Sequence, residues 1–504
     1  MRSFRALLAA IIAGVILTAC AANPGPPPLA EEQAPSPSAS VPVEPPVTTR
    51  VDLVLGIDPV ASGFNPHLLK DDSAFTRMLA ELIFPSVFEG GELNRDLVVS
   101  AEEVEPSEAE IVQTIRYEIA PEAQWSDGTP ITAQDFGFMQ RAMTTTPGVI
   151  DAAPYRAISN VRSLDSGKTV EVDFSQRMIY WPVLFRNLLP SHSIEDFGSS
   201  LNSGVPASGW RYSFDNFDRA RGIVTINRND RFWGAEPANH DTIQFREIRS
   251  AAQAADLLRA GQVDAVDVTP TQTMQQALAL LPQTDLSTYS SGRTLQLVAN
   301  RNLERNQRIQ LQNLLNRELI AQIALGRTND IVVPPIEANT VFDPNGTTLQ
   351  GRSVRIGVDP SDSAAAQAAR AVVDLLTQQG FEAELVSTDA QRLYGQVLRA
   401  GEVDAIMTWY EAPSVNALQC GANLARFCNG VTDQEIAQTL AGDMSPEQFD
   451  QVAAMINGNE HYVTPIALDQ RLRAAGPGVR TGEGVSTHGS RRNNEGCSST
   501  RPPR

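Results

Sequence analysis

Lysine is nearly missing from this 504-residue chain. Lys70 and Lys168 are the only two, so almost every cation is an arginine, and with 59 acidic against 40 basic side chains the formal net charge is −19. A body this acidic is excluded from nucleic acid and from lying flat on anionic lipid. Histidine is sparse too, with five residues at 67, 192, 240, 461 and 488 that form no cluster. No Gly-x-Ser-x-Gly elbow, His-Glu-x-x-His pair or phosphate loop is present. The reading is therefore not an enzyme, with no cofactor and no metal, and His192 is structural rather than a base. Cysteine is sparse as well, with four residues. Cys420 and Cys428 flank a seven-residue segment and are a candidate disulfide that would suit an oxidising exterior. No histidine lies near them, which argues against zinc.

Long apolar runs are also absent, apart from Leu7–Leu17 behind Arg2 and Arg5. Eleven residues are too short to span a bilayer and match the apolar core of a signal peptide. The run ends in Leu17-Thr-Ala-Cys20, which resembles a bacterial lipobox, and the resemblance makes Cys20 the lipidated first residue of the mature chain. Residues 1–19 are the expected signal peptide. Residues 20–50 hold nine prolines. They form an expected tether of up to about 90 Å at roughly 3 Å per residue. Residues 481–504 are an expected disordered tail with Cys497 in it.

What is present is repetition. Leu258-Arg-Ala-Gly-Gln-Val-Asp-Ala265 returns as Leu398-Arg-Ala-Gly-Glu-Val-Asp-Ala405. Each copy follows a helical pattern, Ala251–Arg259 or Ala390–Arg399, and leads into an apolar stretch. The glycine is placed to end the helix and Val-Asp-Ala to begin a strand. Two such units predict two α/β lobes, with Asp264 and Asp404 as strand-start caps rather than a carboxylate pair. Val51–Ile57, Thr169–Phe174, Gly222–Gly234 and Ile243–Ile248 read as strands. Val354–Val358, Ala364–Gln379 and Phe381–Val386 read as a β-α-β unit whose strands should be parallel neighbours.

The most specific segment is Trp125-Ser-Asp-Gly-Thr-Pro-Ile-Thr-Ala-Gln-Asp-Phe-Gly-Phe138. Physics reads it as a turn, then Thr132 as helix N-cap with Asp135 three residues on. Its wording resembles the signature of the family 5 extracytoplasmic solute-binding proteins, the oligopeptide and dipeptide receptors of ABC importers. The likeness extends over about residues 51–480, and Arg308–Arg327, with Asn316-Arg317-Glu318 inside, resembles a family helix. It implies a two-lobed periplasmic-binding-protein-like fold of class II type with an inserted extra subdomain. Lobe I would comprise 51–90, 205–295 and 461–480, the insertion 91–204, and lobe II 296–460. It further implies a lipid-anchored monomer outside the cytoplasmic membrane that passes a peptide or other small solute to an ABC permease and ATPase.

The resemblance points to ligand contacts at Phe64 and Asn65, from a Phe-Asn-Pro phrase, and at Trp409, Tyr410 and Glu411 after the second-lobe strand. Peptide receptors grip the ligand's α-amino group with an acidic residue just beyond this tryptophan, usually in an Asp-Pro phrase. Here no aspartate follows, and Glu411 is either a substitute one methylene longer or a solvated side chain. Trp210 stands where the family has a small residue, as a further ligand candidate or as core. Three segments, 146–159, 222–233 and 423–428, also resemble an actinobacterial subgroup that keeps the fold but regulates assembly of mannose-rich phosphatidylinositol lipoglycans.

Overall fold

The computed structural model describes residues 52–476, apart from residue 61 and segments 337–339, 412–419, 421–423, 429 and 442–445. The expected signal peptide, Cys20, the tether, Val51, Cys497 and the tail lie outside the described residues. Among the described residues no helix is long and apolar enough to cross a membrane.

In chain order the strands are β1 (Asp52–Ile57), β2 (Phe88–Glu89), β3 (Glu92–Leu93), β4 (Val98–Val104), β5 (Gln113–Ile119), β6 (Ile158–Leu164), β7 (Thr169–Phe174) and β8 (Tyr212–Asp218). They continue with β9 (Ile223–Arg228), β10 (Thr242–Glu247), β11 (Ala265–Val268), β12 (Asp285–Ala299), β13 (Val354–Val358), β14 (Ala383–Ser387), β15 (Ala405–Glu411) and β16 (Val463–Ala475). Ten of them make one sheet in the order β14-β13-β15-β12-β16-β11-β1-β10-β9-β8, and a separate antiparallel sheet runs β4-β5-β7-β6.

The first lobe is built on β1, which lies parallel to both β10 and β11. The second lobe is built on β13, parallel to both β14 and β15. The expected β-α-β unit is therefore present, its helix running Ser363–Gln378 between parallel neighbours. The helices before the repeated phrases end at glycines with positive φ, Gly261 at 62° and Gly401 at 76°. An L side chain there would be strained, which is why the phrase carries glycine at that position.

After each glycine an aspartate clasps the neighbouring parallel strand. The Val54 amide donates to Asp264 Oδ2 at 2.7 Å and the Arg355 amide to Asp404 Oδ2 at 3.0 Å. The amide of each aspartate returns a bond to the same residue's carbonyl at 2.8 Å. The repeated phrase is thus one structural device used twice.

Two strands belong to both lobes. The Arg293–Ala299 half of β12 pairs with β15, and the Asp285–Ser290 half lies beside the Gln470–Ala475 half of β16, which itself pairs with β11. The lobe boundary drawn between residues 295 and 296 falls inside β12, and the return at 461 leads directly into β16. Register shifts interrupt their ladder between Ser290 and Thr294 and between Leu295 and Gln296, with Gly292 at φ 84° inside the first.

The insertion folds around the four-stranded sheet. Thr132 and Asp135 form the expected capping box of helix Ala133–Thr145. Asp135 also accepts from the Ser191 amide at 3.0 Å and hydroxyl at 2.7 Å, fixing a distant loop. Trp125 is fully buried, and Phe185 packs edge-on to Tyr117 at 5.6 Å. The helix expected over Arg308–Arg327 is instead two, Arg305–Leu314 and Arg317–Leu325. Leu315 is extended, and the Asn316 side chain caps the second helix by accepting from the Leu319 amide at 3.1 Å. The competing local bond of an asparagine wins over continued helix.

Candidate functional site

A cavity of about 680 Å³ lies between the lobes. Asp58, Pro59, Val60, Ser62 and Gly63 after β1, the start of helix Ala74–Ile83, residues 248–251, and Thr269, Thr271, Thr273 and Met274 line it from the first lobe. Asp359 and residues 361–365 after β13, Ala390, Tyr394 and residues 407–409 line it from the second, while Arg293, Asp469 and Arg471 of the shared strands reach it from between. Its walls lie at the carboxyl ends of parallel strands, where α/β folds open their crevices.

Charge is fixed in place across the inner surface. The Arg293 guanidinium donates to Asp469 at 2.7 Å and to the Asp72 carbonyl at 2.9 Å, and it lies 5.5 Å from the centre of the Trp409 ring. Arg471 binds Asp58 and donates to Asp267 at 3.0 Å. Burial pushes the Asp469 carboxyl up, but the charges of Arg293 and Arg471 outweigh it and hold the group below the usual range. Asp362 is raised by burial, although it caps helix Ser363–Gln378 and takes a hydrogen bond from Trp409. Asp359 differs from these: its bonds are to Ser361, from the amide at 3.0 Å and the hydroxyl at 2.7 Å. Among the described residues neither it nor Asp362 is in an ion pair, whereas Arg471 holds Asp58 at the matching place after β1.

The sequence candidates are scattered. Trp409 lines the cavity. Phe64 and Asn65 do not, each being 1% exposed. Phe64 packs against Phe214 at 5.1 Å and Phe217 at 5.5 Å, and Asn65 donates to the Phe197 carbonyl at 2.8 Å. They brace the Ser62–Lys70 loop from behind, so their side chains are committed to the core. Trp210 is buried edge-on against Phe232 at 5.1 Å.

Tyr410 points away from the cavity toward Asp151 of the insertion, and burial raises its phenol well above the ordinary value. Glu411 is paired with Arg77 of the first lobe at 2.5 Å, and Arg77 also holds Asp72 at 2.6 Å. The glutamate considered as an amine grip already has a cation. Cys420 and Cys428 are joined as a disulfide.

Asp58, Arg293, Asp359, Asp469 and Arg471 were missed from the sequence. A signal did exist for two of them. Leu55-Gly-Ile-Asp-Pro59 and Ile356-Gly-Val-Asp-Pro360 are a second repeat that ends each lobe's first strand. Its glycines are required by packing: a Cβ on Gly56 would lie 2.7 Å from Val266 and one on Gly357 2.9 Å from Leu393.

Comparison with known proteins agrees with this architecture. The model of the bacterial extracellular solute-binding proteins, family 5 (middle region), matches residues 101–419. The chain is 28% identical over 490 residues to the probable monoacyl phosphatidylinositol tetramannoside-binding protein LpqW of Mycobacterium tuberculosis, covering 82% of this chain and 74% of that one. It is 30% identical to the oligopeptide-binding protein OppA of Mycobacterium bovis, over 32% of this chain and 28% of that one. Among solved structures, Bacillus subtilis AppA in complex with a nonapeptide superposes with a TM-score of 0.64 at 16% identity, covering 84% of this chain and 94% of that one. Haemophilus influenzae OppA in complex with the peptide RPPGFSPFR gives 0.62 at 19%, covering 85% and 95%.

Proposed function

Because the chain belongs to the bacterial extracellular solute-binding proteins of family 5, we propose that it captures a polar solute in the cavity between its lobes and delivers it to an ABC importer from a lipid anchor at Cys20. The observation that carries this reading is the cavity itself: about 680 Å³, walled by both lobes and reached by three charged side chains of the strands they share. That size falls in the ordinary range for small-ligand sites. Trp409 offers an apolar face, Asp359 a carboxylate without a cationic partner among the described residues, and Thr269, Thr271 and Ser361 offer hydroxyls. An oligopeptide-like ligand would place a cationic group against Asp359.

A second reading has its own support. The Arg77–Glu411 pair occupies the side chain considered as the amine grip of peptide receptors. The likeness to the probable tetramannoside-binding protein covers most of the chain, whereas that to OppA of Mycobacterium bovis covers a third. On this reading the same cavity holds a glycan, with sugar faces on Trp409 and vicinal hydroxyls on Asp359, and the protein regulates lipoglycan assembly instead of serving transport. Native mass spectrometry of the protein purified from its own host separates the two. A bound mass that fragments into amino acids supports the peptide receptor. A hexose-bearing ligand supports the regulator, and a cavity that takes neither class would remove both.

A further inference from the structure

Next to the interlobe cavity is a smaller one of about 210 Å³, which shares Leu69 and Tyr394 with it as walls. Its lining brings together four arginines from four separate stretches of chain: Arg156 from the insertion, and Arg301, Arg399 and Arg426 from the second lobe. Among the described residues none of the four is ion-paired to a carboxylate. What sets them apart is their convergence on one recess, whereas Arg77, Arg293, Arg352, Arg355 and Arg471, which also meet other parts of the fold, each hold a carboxylate.

The arrangement is imposed by the fold. Arg426 sits at φ 59° within the loop closed by the Cys420–Cys428 disulfide, a left-handed conformation that a non-glycine residue adopts at a cost. Its guanidinium donates to the Arg399 carbonyl, which brings the two chain segments to one lip of the recess. Burial lowers the proton affinity of Arg426, and the charges of Arg301 and Arg399 lower it further. Like charges gathered at a recess repel one another unless an anion sits among them.

We propose that this recess is an anion site that takes a phosphoryl group, with Arg156, Arg301, Arg399 and Arg426 as its donors. A carboxylate is flat and is satisfied by one or two guanidinium forks. A phosphoryl group offers tetrahedrally disposed oxygens, two with one charge in a diester and three or more with up to two charges in a monoester or the free ion, which suits forks arriving from several directions. The site is separate from the interlobe cavity and does not depend on what that cavity holds.

The test is isothermal titration of the full chain with inorganic phosphate and with glycerophosphoinositol, in buffer free of competing anions. The Arg301→Gln/Arg399→Gln double variant, both positions exposed, should weaken binding at least tenfold at an unchanged melting temperature, since each lost contact is a charge-assisted bond. Trp409→Ala, which alters the neighbouring cavity, should leave it intact. Equal affinity for the two probes identifies free phosphate as the source of the group, and at least tenfold tighter binding of glycerophosphoinositol identifies a headgroup. If the double variant melts early, Arg156→Gln on the insertion gives the same readout. No binding of either probe at millimolar concentration would overturn the proposal, as would binding lost in Trp409→Ala but kept in the arginine variants.

Discussion

The two lobes carry the same parts and use them differently. Each begins with a strand ending Gly-Ile-Asp-Pro or Gly-Val-Asp-Pro, and each clasps that strand with the aspartate of the Leu-Arg-Ala-Gly phrase. In the first lobe the clasp is Asp264 with the Val54 backbone, while the strand-end aspartate, Asp58, is bound by Arg471 from β16. In the second lobe the weight is reversed. Asp404 is fully buried and takes Arg355 at 3.0 Å and Arg352 besides the backbone bond, while Asp359 at the strand end is left to Ser361. One lobe spends its arginine on the cavity and the other on its own interior. A duplicated framework can therefore present one neutralised and one available carboxylate to the same ligand.

The largest expected effect tests the clasps. Asp404→Ala leaves Arg352 and Arg355 without their carboxylate and should cost about 3–4 kcal/mol in urea unfolding. Asp264→Ala loses a backbone acceptor and should cost about 1–2 kcal/mol. Equal losses would break the comparison.

Asp151 separates contacts within a lobe from those between lobes, because it sits at the junction near Tyr410. Burial and the Glu411 and Asp72 charges raise its carboxyl to about 6, against the opposing pull of Arg186 and Arg77. The sign follows from the protonated form being favoured in the fold. The contribution is fully present below the unfolded value of 3.8 and is lost as pH rises through 6. Asp151→Asn should remove about 1–3 kcal/mol of that pH dependence, read as a flatter melting-temperature profile between those values.

The strand-end aspartates should then divide by readout. Asp359→Asn should weaken the natural ligand about tenfold with little change in melting temperature, while Asp58→Asn should lower stability by about 1–2 kcal/mol, because Arg471 keeps only part of its partner set. A swap of these outcomes would reverse the roles assigned to the two lobes. The smallest effect is at Glu411, whose side chain is 44% exposed. Glu411→Gln should change affinity by less than about 1 kcal/mol, since the exposed pair with Arg77 is screened. A loss beyond that would restore Glu411 as a ligand contact.

Much of this fold was legible because local rules and tertiary need agree. The Leu-Arg-Ala-Gly phrases ended helices as glycine C′ positions do, and Thr132–Asp135 formed the capping box its spacing predicts. The shared strands were not legible. Asp285–Ser290 is polar and largely exposed, with little apolar alternation to mark it, and its partners lie some 180 residues on in the chain. The site suffered for the same reason, since Arg293, Asp469 and Arg471 all lie on those strands. Phe64, Asn65 and Trp210 were legible only as family positions, and a position in a loop does not say which way its side chain turns. The paired Gly-Ile-Asp-Pro and Gly-Val-Asp-Pro stretches could have been found by comparing the lobes with each other.

The ribbon of β12 and β16 also sets what kind of movement the molecule can make. Two strands hydrogen-bonded side by side bend across their width more readily than they slide along their length, because sliding would break the whole ladder at once. The register shifts around Gly292 mark where such a bend meets least resistance. Opening and closing would then retrace a single path, bringing Asp359 and Trp409 back to the same alignment with Asp58 and Arg471 each time. Repeatable alignment of this kind lets a two-walled site judge the length of what it encloses as well as its charge.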